Sequence, residues 1–193
     1  MMRRCTALVN TVVYGKMADN RLTPGEWVRC GLRTLAAKGW PALRADALAK
    51  ALGVSRGSFY WHFADVATFH RAVLDGWREI ALENVIAEVD PLGPDRARAL
   101  VRRAFGTRPQ LEVAVRAWAT VDETARSVVQ AVDAERVAYL RTVFIDEGIA
   151  PDIADTRANI MNWTYLGFAL SPAKAQPKLE AVVSELLALA LSR

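Results

Sequence analysis

A segment in the N-terminal third of the chain combines cationic, hydroxyl and aromatic side chains of the kind that contact a polyanion. It runs from Arg44 to Phe63 and reads RADALAKALGVSRGSFYWHF. Guanidinium and hydroxyl groups donate hydrogen bonds to phosphate oxygens, and Arg also reads base edges. Tyr60 and Trp61 stand beside Arg56, an arrangement that a solvated helical hairpin has no reason to adopt. The chemistry indicated is non-covalent recognition of nucleic acid.

The spacing of small and apolar residues in this segment predicts a helix-turn-helix. Ala49 supplies the small side chain that two steeply crossing helices need, and Gly53 supplies the positive φ of the turn. The apolar groups expected to point inward are Leu48, Leu52, Val54 and Phe59. Ser55 is suited to cap the second helix, whose compact polar first turn can enter a major groove. The spacing alone leaves open a plain helical hairpin inside a bundle.

Positive charge is concentrated around this segment. Residues 1–65 hold ten Lys and Arg residues against four Asp and Glu, whereas the rest of the chain holds fifteen against seventeen. A basic end on a mildly acidic body indicates that this end meets a polyanion. The alternative is a solvated surface that is merely basic.

The elements that position these residues are predicted to be helices only, because apolar residues recur three and four apart between Gly and Pro punctuation. We predict nine helices and no strands. Their predicted bounds are Thr23–Gly39, Arg44–Leu52, Ser55–Phe63, Asp65 to before Pro91, Pro94–Gly106, Pro109–Thr120, Asp122–Gly148, Pro151–Ser171 and Lys178–Leu191. Residues 1–21 show no sustained periodicity and are predicted to be a disordered extension.

The stretch from Thr23 to about Leu74 resembles the DNA-binding region of the TetR family of transcriptional regulators. The resemblance rests on the first helix ending at Gly39, on Leu48-Ala49, on Leu52-Gly53-Val54-Ser55, and on Gly57-Ser58-Phe59-Tyr60-Trp61-His62-Phe63. It implies a nine-helix homodimer with a helix-turn-helix domain over residues 22–66 and an effector-binding and dimerisation domain over residues 67–193. Double-stranded DNA with an inverted-repeat operator is the implied partner, and repression relieved by a small apolar or aromatic molecule is the implied activity.

The family's DNA contacts carry over to eight positions of this chain. These are Arg44, Ser55, Arg56, Gly57, Ser58, Tyr60, Trp61 and His62. For His62, packing under the recognition helix is favoured over a base contact. The family commonly has a Lys at the start of the fourth helix, but the stretch 64–67 reads Ala-Asp-Val-Ala, so one usual phosphate contact is missing. A helical ligand-binding or scaffolding protein that has lost DNA binding is therefore the alternative function.

The remaining two thirds of the chain hold no motif for catalysis. We find no phosphate-binding glycine loop, no nucleophile beside a base and no convergent carboxylates, and the histidines at 62 and 70 lack further metal ligands. We therefore expect no enzymatic activity, no cofactor and no metal. The candidate ligand-binding residues are Trp118, Arg136, Asn159, Asn162, Trp163 and Tyr165, although aromatic residues at helical spacing are more often core. Arg136 lies on an apolar helix face, where Asp133 is a possible partner.

The last helix has an apolar face that is broader than a terminal helix needs. The expected dimer interface comprises Gly167, Leu179, Val182, Val183, Leu186 and Leu187. The alternative is that this face caps the core of its own domain. No apolar run approaches the length of a membrane-spanning helix, and no secretory signal is evident, so the sequence predicts a cytoplasmic protein with no membrane partner. Cys5 and Cys30 are expected to be free thiols.

Overall fold

The computed structural model describes residues 22–106, 109–171 and 178–192, which form α-helices joined by short turns and contain no strand. The all-α prediction is confirmed. The helices are α1 Pro24–Lys38, α2 Ala45–Leu52, α3 Arg56–His62, α4 Val66–Arg78, α5 Asn84–Val89, α6 Arg96–Phe105, α7 Gln110–Ala119, α8 Glu123–Asp146, α9 Pro151–Leu170 and α10 Leu179–Leu191. The predicted N-terminal extension, residues 1–21, lies outside the described residues. Among the described helices, none is long and apolar enough to cross a membrane.

The described part of the chain has ten α-helical segments where the sequence predicted nine. The predicted fourth helix is divided into α4 and α5 by a π turn at Glu79–Glu83, in which the N–H of Asn84 donates to the carbonyl of Glu79. Two 3-10 segments, at Trp40–Ala42 and Asp90–Asp95, precede α2 and α6. A π turn inside an α-helix is rare and often lies at a functional site.

Three helices begin at side chains that bind the first turn. Thr23 and Glu26 form a reciprocal capping box at α1, with Glu26 Oε2 accepting the Thr23 N–H at 2.7 Å. Asp65 accepts the Thr68 N–H at 2.6 Å to begin α4, and Asp122 caps α8 in the same way. Such caps satisfy amide donors that a helix leaves unpaired, which fixes where each helix starts.

Two hydrophobic cores organise these helices. The first joins α1–α4 to α7 and the N-terminal half of α8, and the second joins α6, the C-terminal half of α8, α9 and α10. The first core therefore crosses the domain boundary expected after residue 66. At that boundary Trp118 of α7 is buried and stacks on Trp40, with 6.4 Å between the ring centroids. The ring of His70 in α4 packs against Trp118 in a T-shaped arrangement, with 5.1 Å between the ring centroids.

The α1 and α4 helices approach each other closely at two glycines. A Cβ on Gly31 would lie 2.7 Å from the Phe69 ring, and one on Gly76 would lie 2.9 Å from Val28. Both distances are shorter than van der Waals contact allows. The absence of side chains at these two positions lets the N-terminal helices dock on α4.

Candidate nucleic-acid interface and internal cavity

The α2-turn-α3 unit has the geometry that its sequence predicts. Gly53 ends α2 in the left-handed region, with φ 69° and ψ 26°, and the Val54 N–H donates to the Ala49 carbonyl at 3.0 Å. Leu48 and Ala49 are buried, while Leu52 and Val54 pack at the edge of the first core. The unit is therefore a helix-turn-helix in which the turn is closed by a single glycine.

Phe59 anchors α3 to the rest of the domain. Its fully buried ring lies 5.4 Å from the Trp27 ring of α1 and 5.2 Å from the Phe69 ring of α4. Phe63, just after α3, closes the same aromatic cluster at 5.0 Å from Phe69. Edge-on aromatic packing of this kind fixes the rotation of a short helix about its axis. The opposite face of α3 consequently points to solvent.

That solvent face carries most of the predicted DNA contacts. Ser55, Arg56, Gly57, Tyr60 and Trp61 are all exposed, Trp61 by 73%, and Ser58 is partly exposed. Ser55 begins α3 as predicted, but its hydroxyl makes no capping hydrogen bond. The predicted N-cap position of Ser55 is therefore confirmed, without the side-chain hydrogen bond that such a residue can make.

Arg56 is held against Tyr60 on this face. Its Nη2 donates to the Tyr60 phenol oxygen at 3.1 Å, and the guanidinium lies 5.5 Å from the ring centre. The hydrogen bond to Tyr60 raises the pKa of Arg56 above its ordinary value. The pair presents a cation and an aromatic ring together, one turn apart on the helix.

Arg44 precedes α2 and makes an ion pair that the sequence analysis did not foresee. Its Nη2 lies 2.7 Å from Asp46 Oδ2 and its Nε lies 3.2 Å from Oδ1, with both side chains exposed. The hydrogen bond from Arg44 lowers the pKa of Asp46. A phosphate would have to compete with this carboxylate for Arg44.

The two histidines have structural surroundings. His62 is half-buried with its ring 6.4 Å from that of Phe63, and His70 Nε2 lies 3.0 Å from the Leu43 carbonyl oxygen. Among the described residues, no group of His, Cys, Asp and Glu is arranged to hold a metal ion.

The helix-turn-helix segment matches a known family of proteins. Residues 30–66, from the middle of α1 to the start of α4, match the family model described as bacterial regulatory proteins, tetR family. Residues 30–66 are therefore similar to the DNA-binding domain of the TetR family, and we call them the TetR-type domain. The aligned part contains the whole helix-turn-helix unit and its Phe59 anchor, which supports a TetR-type DNA-binding regulator. No curated protein matches the chain as a relative.

A cavity of about 410 Å³ lies beyond the TetR-type domain. Its walls come from the α4–π turn–α5 segment, α6, α7, α8 and α9, with Ala36 of α1 at one side. This volume is within the range of small-molecule sites. Three of the predicted ligand-binding residues line it, namely Arg136, Asn162 and Tyr165.

The other three predicted ligand-binding residues do not line the cavity. Trp118 is buried in the first core against Trp40, and Trp163 is 64% exposed on the outside of α9. Asn159 donates back to the Asp155 carbonyl on the same helix. Periodicity could place these residues on helices but could not tell which side of α7 or α9 faced the cavity.

A group of four charged side chains, all at most one-quarter exposed, lies at the cavity, and two of them, Glu112 and Arg136, line it. Arg136 donates to both Glu112 oxygens at 3.1 and 2.9 Å, and Arg116 donates to Glu112 at 2.7 Å. Arg116 also makes a bidentate pair with Asp133, at 3.0 and 2.5 Å. We call these residues the charge quartet. Asp133 was the expected partner of Arg136, but it lies 3.6 Å away, and Glu112 is the main partner.

Sequence reasoning missed Glu112, which is only 3% exposed. Burial by itself raises the pKa of Glu112, but the hydrogen bonds and charges of Arg136 and Arg116 outweigh it, and the net pKa lies below the ordinary value. Burial and the neighbouring Glu112 carboxylate raise the pKa of Tyr165 to about 12. Glu112, Arg116 and Arg136 are consequently charged near neutral pH. The signal for Glu112 was its spacing of four residues from Arg116.

Arg136 also ties the cavity to the α4–α5 segment. Its Nη2 donates to the carbonyl oxygen of Ala81, within the π turn, at 3.2 Å. The same guanidinium lies 5.9 Å from the Trp77 ring centre and 5.3 Å from that of Tyr165. One side chain therefore contacts α4, the π turn, α7 and α9.

The predicted dimer residues divide between the inside and the outside of the protomer. Val183 is completely buried, so its side chain is not available to a second copy. Leu179, Val182, Leu186 and Leu187 are partly buried against the second core, as the intramolecular alternative expected. Gly167 is exposed. The large apolar residues left exposed on α9 and α10 are instead Ile153, Ile160, Trp163, Leu170 and Leu189.

Proposed function

We propose that this protein is a homodimeric TetR-type repressor that binds an inverted-repeat operator through α3 and releases it when a small molecule enters the cavity. The observation that carries the DNA-binding part is the orientation of α3. Phe59 holds one face in the aromatic core, and the opposite face presents Arg56, Tyr60 and Trp61 within the matched TetR segment.

Coupling between ligand binding and DNA binding is supported by cavity residues that also belong to the first core, which contains the helix-turn-helix. Trp77 belongs to the first core and also lines the cavity, and the π turn at Glu79–Glu83 contributes further lining residues. A ligand can shift the equilibrium between the DNA-bound and the released arrangement of the dimer only by the difference between its affinities for the two. A displacement of α4 would move α1–α3 with it, because α1 and α4 are closely docked at Gly31 and Gly76.

Dimerisation is supported by the exposed apolar residues of α9. Ile153, Ile160, Trp163 and Leu170 are spaced 7, 3 and 7 residues apart, which places them along one side of the helix. A continuous exposed apolar stripe of this length is characteristic of an association surface. A two-fold dimer would present two copies of α3 to a palindromic site.

The proposal is tested by selecting the fragments of the host genome that the purified protein binds, followed by footprinting. We expect protected inverted repeats whose half-site centres lie about one helical turn, or a multiple of it, apart. Recovery of no enriched sequence would contradict the operator and favour the alternative of a ligand-binding scaffold. The specific observation in favour of that alternative is Asp65, an acidic cap at the start of α4 where the family commonly has a cation nearby.

A further inference from the structure

Two polar groups in the cavity lack partners within the described part of the protein. Asn162 is 5% exposed and lines the cavity, and its side-chain amide makes no hydrogen bond to any described residue. Tyr165 also lines the cavity, and its hydroxyl makes no hydrogen bond to any described residue. The two residues are three apart on α9, so they lie on the same face of that helix. Both residues line the cavity, so a ligand head that enters it can pair with their polar groups.

Tyr139, which also lines the cavity, has a hydroxyl with a hydrogen-bond partner. Its phenol oxygen donates to Asp90 Oδ1 at 3.1 Å, at the exposed side of the cavity. Tyr165 has no comparable acceptor among the described residues. Asn162 and Tyr165 therefore form one patch of uncharged polar groups, on the α9 wall of the cavity, without a partner among the described residues.

The charged groups of the quartet are paired with one another. Glu112 and Arg136 line the cavity, and hydrogen bonds join them to Arg116 and, through Arg116, to Asp133, neither of which lines it. An anionic ligand would have to take Arg136 from Glu112 and leave that carboxylate buried without its partner, which is costly. A cation would have to take Glu112 from two guanidiniums. The other charged lining residue in the described chain, Arg103, is exposed and 3.4 Å from Glu88.

The rest of the wall is apolar. It is made by side chains that include Leu82, Ile86, Leu100, Val101, Phe105 and Leu140. Trp77 and Tyr165 add two aromatic rings. A flat apolar body would fill this space and remove its surface from water.

We propose that the cavity binds an uncharged molecule with a flat apolar body and a hydrogen-bonding head, and that Asn162 and Tyr165 hold the head. The charge quartet does not bind the head. It acts as a neutral wall that discriminates against anions and cations. The biological meaning of such a ligand rests on the proposed repressor function, but its binding does not.

The test uses the full-length protein and three probes of matched shape, namely 2-naphthamide, 2-naphthoate and 2-naphthylmethylammonium. Isothermal titration calorimetry at pH 7 measures each dissociation constant. We expect 2-naphthamide to bind at least about tenfold more tightly than either charged probe, because only the charged heads must disrupt the quartet. Tighter binding of 2-naphthoate or of the ammonium, or binding of none of the three, would overturn the proposal.

Variants at the head-binding patch sharpen this test. Asn162→Leu and Tyr165→Phe keep the volume and should each weaken 2-naphthamide binding about tenfold. Asn159→Leu, the same change on α9 at a residue that does not line the cavity, is the matched control and should leave the affinity within about twofold. Unchanged affinity in both patch variants would show that water, rather than the ligand head, satisfies these groups, and the proposal would be wrong.

The failure of this proposal can be told apart from failure of the proposed function. Operator binding is measured in parallel, with and without saturating 2-naphthamide. If 2-naphthamide binds with the expected selectivity and the operator affinity is unchanged, the ligand class stands and the ligand-released repressor does not. If 2-naphthoate is selected and releases the operator, the repressor stands and the ligand class is overturned.

Discussion

Arg56 is the residue whose loss should affect DNA binding most directly. It is exposed at the N-terminal end of α3, where a recognition helix meets base edges. We expect Arg56→Ala to weaken operator binding by about 1–3 kcal/mol while leaving the melting temperature unchanged, since Arg56 packs on nothing buried. Fluorescence anisotropy on a selected operator fragment measures the first quantity and thermal melting the second.

The control for Arg56 is Arg98→Ala, which removes another exposed cation, from α6. This variant should bind the operator as the parent does, because Arg98 lies outside the TetR-type domain. Equal losses of affinity in the two variants would mean that only overall charge matters and that α3 does not read the operator.

Glu112 is the residue whose loss should affect stability most. Glu112→Gln leaves Arg136 and Arg116, which are 12% and 14% exposed, without their shared carboxylate. Breaking a buried ion pair from one side costs about 3–5 kcal/mol. Urea unfolding should show a loss of this size, whereas Glu135→Gln, which breaks the half-exposed pair with Arg78, should cost less than about 1 kcal/mol.

The stability supplied by Glu112 should also depend on pH. Burial opposes ionisation, but the two guanidiniums dominate and depress the folded-state pKa. A depressed carboxylate pKa stabilises the fold fully above the unfolded-state pKa of the group, and this contribution is lost as pH falls through the folded-state pKa. The difference in unfolding free energy between the parent and Glu112→Gln should therefore shrink as pH is lowered below about 4.5. A difference that stays constant from pH 7 to pH 3 would contradict the pKa assignment.

At the scale of elements, the close docking of α1 on α4 gives a sharp prediction at Gly31. Gly31→Ala should lower the unfolding free energy by about 1–3 kcal/mol, because its Cβ would meet Phe69 and Val73 at 2.7 and 2.8 Å. Gly25→Ala, on the same helix with its nearest contact at 3.5 Å, is the matched control. It should be neutral or stabilising by up to about 1 kcal/mol. A Gly31→Ala protein as stable as the control would show that the two helices can separate without cost.

The element boundaries were predictable because their signals are local. Thr23, Gly53 and Asp122 mark helix ends by side chains or dihedral angles that act within four residues. The helix-turn-helix and its outward face followed from the same local signals. The π turn at Glu79–Glu83 did not, because no Pro or Gly in that stretch interrupts the helix and its Ala81 carbonyl is bonded by Arg136, 55 residues away.

The cavity was only partly predictable for the same reason. Arg136 was recognised because a charge on an apolar helix face needs a partner, but its partner Glu112 lies 24 residues away on another helix. Trp118 was assigned to a pocket although it fills the junction between α1, α4 and α7. Helical periodicity identifies a buried side, and only the packing of several helices decides whether that side faces core or cavity.

At the scale of the whole molecule, the dimer surface should respond to charge on the outside of α9. Trp163→Arg should favour monomer, because Trp163 is 64% exposed in the middle of the apolar stripe and an unpaired charge there would be buried on association. Val121→Arg, at a residue 65% exposed before α8, is the control. Sedimentation velocity should show a monomer for the first and a dimer for the second. If both variants were dimers, the assignment of the interface to α9 would be wrong.

The claim that α3 contacts DNA is tested most directly by the salt dependence of binding to a labelled random-sequence duplex. We would measure the association constant by anisotropy between 50 and 200 mM salt, for the parent and for Arg56→Ala. Neutralised phosphates release counterions, so we expect log K to fall linearly with log salt in the parent, and less steeply by up to about one unit of slope in the variant. Absence of binding at 50 mM salt, or an affinity that does not change with salt, would contradict DNA recognition by this helix.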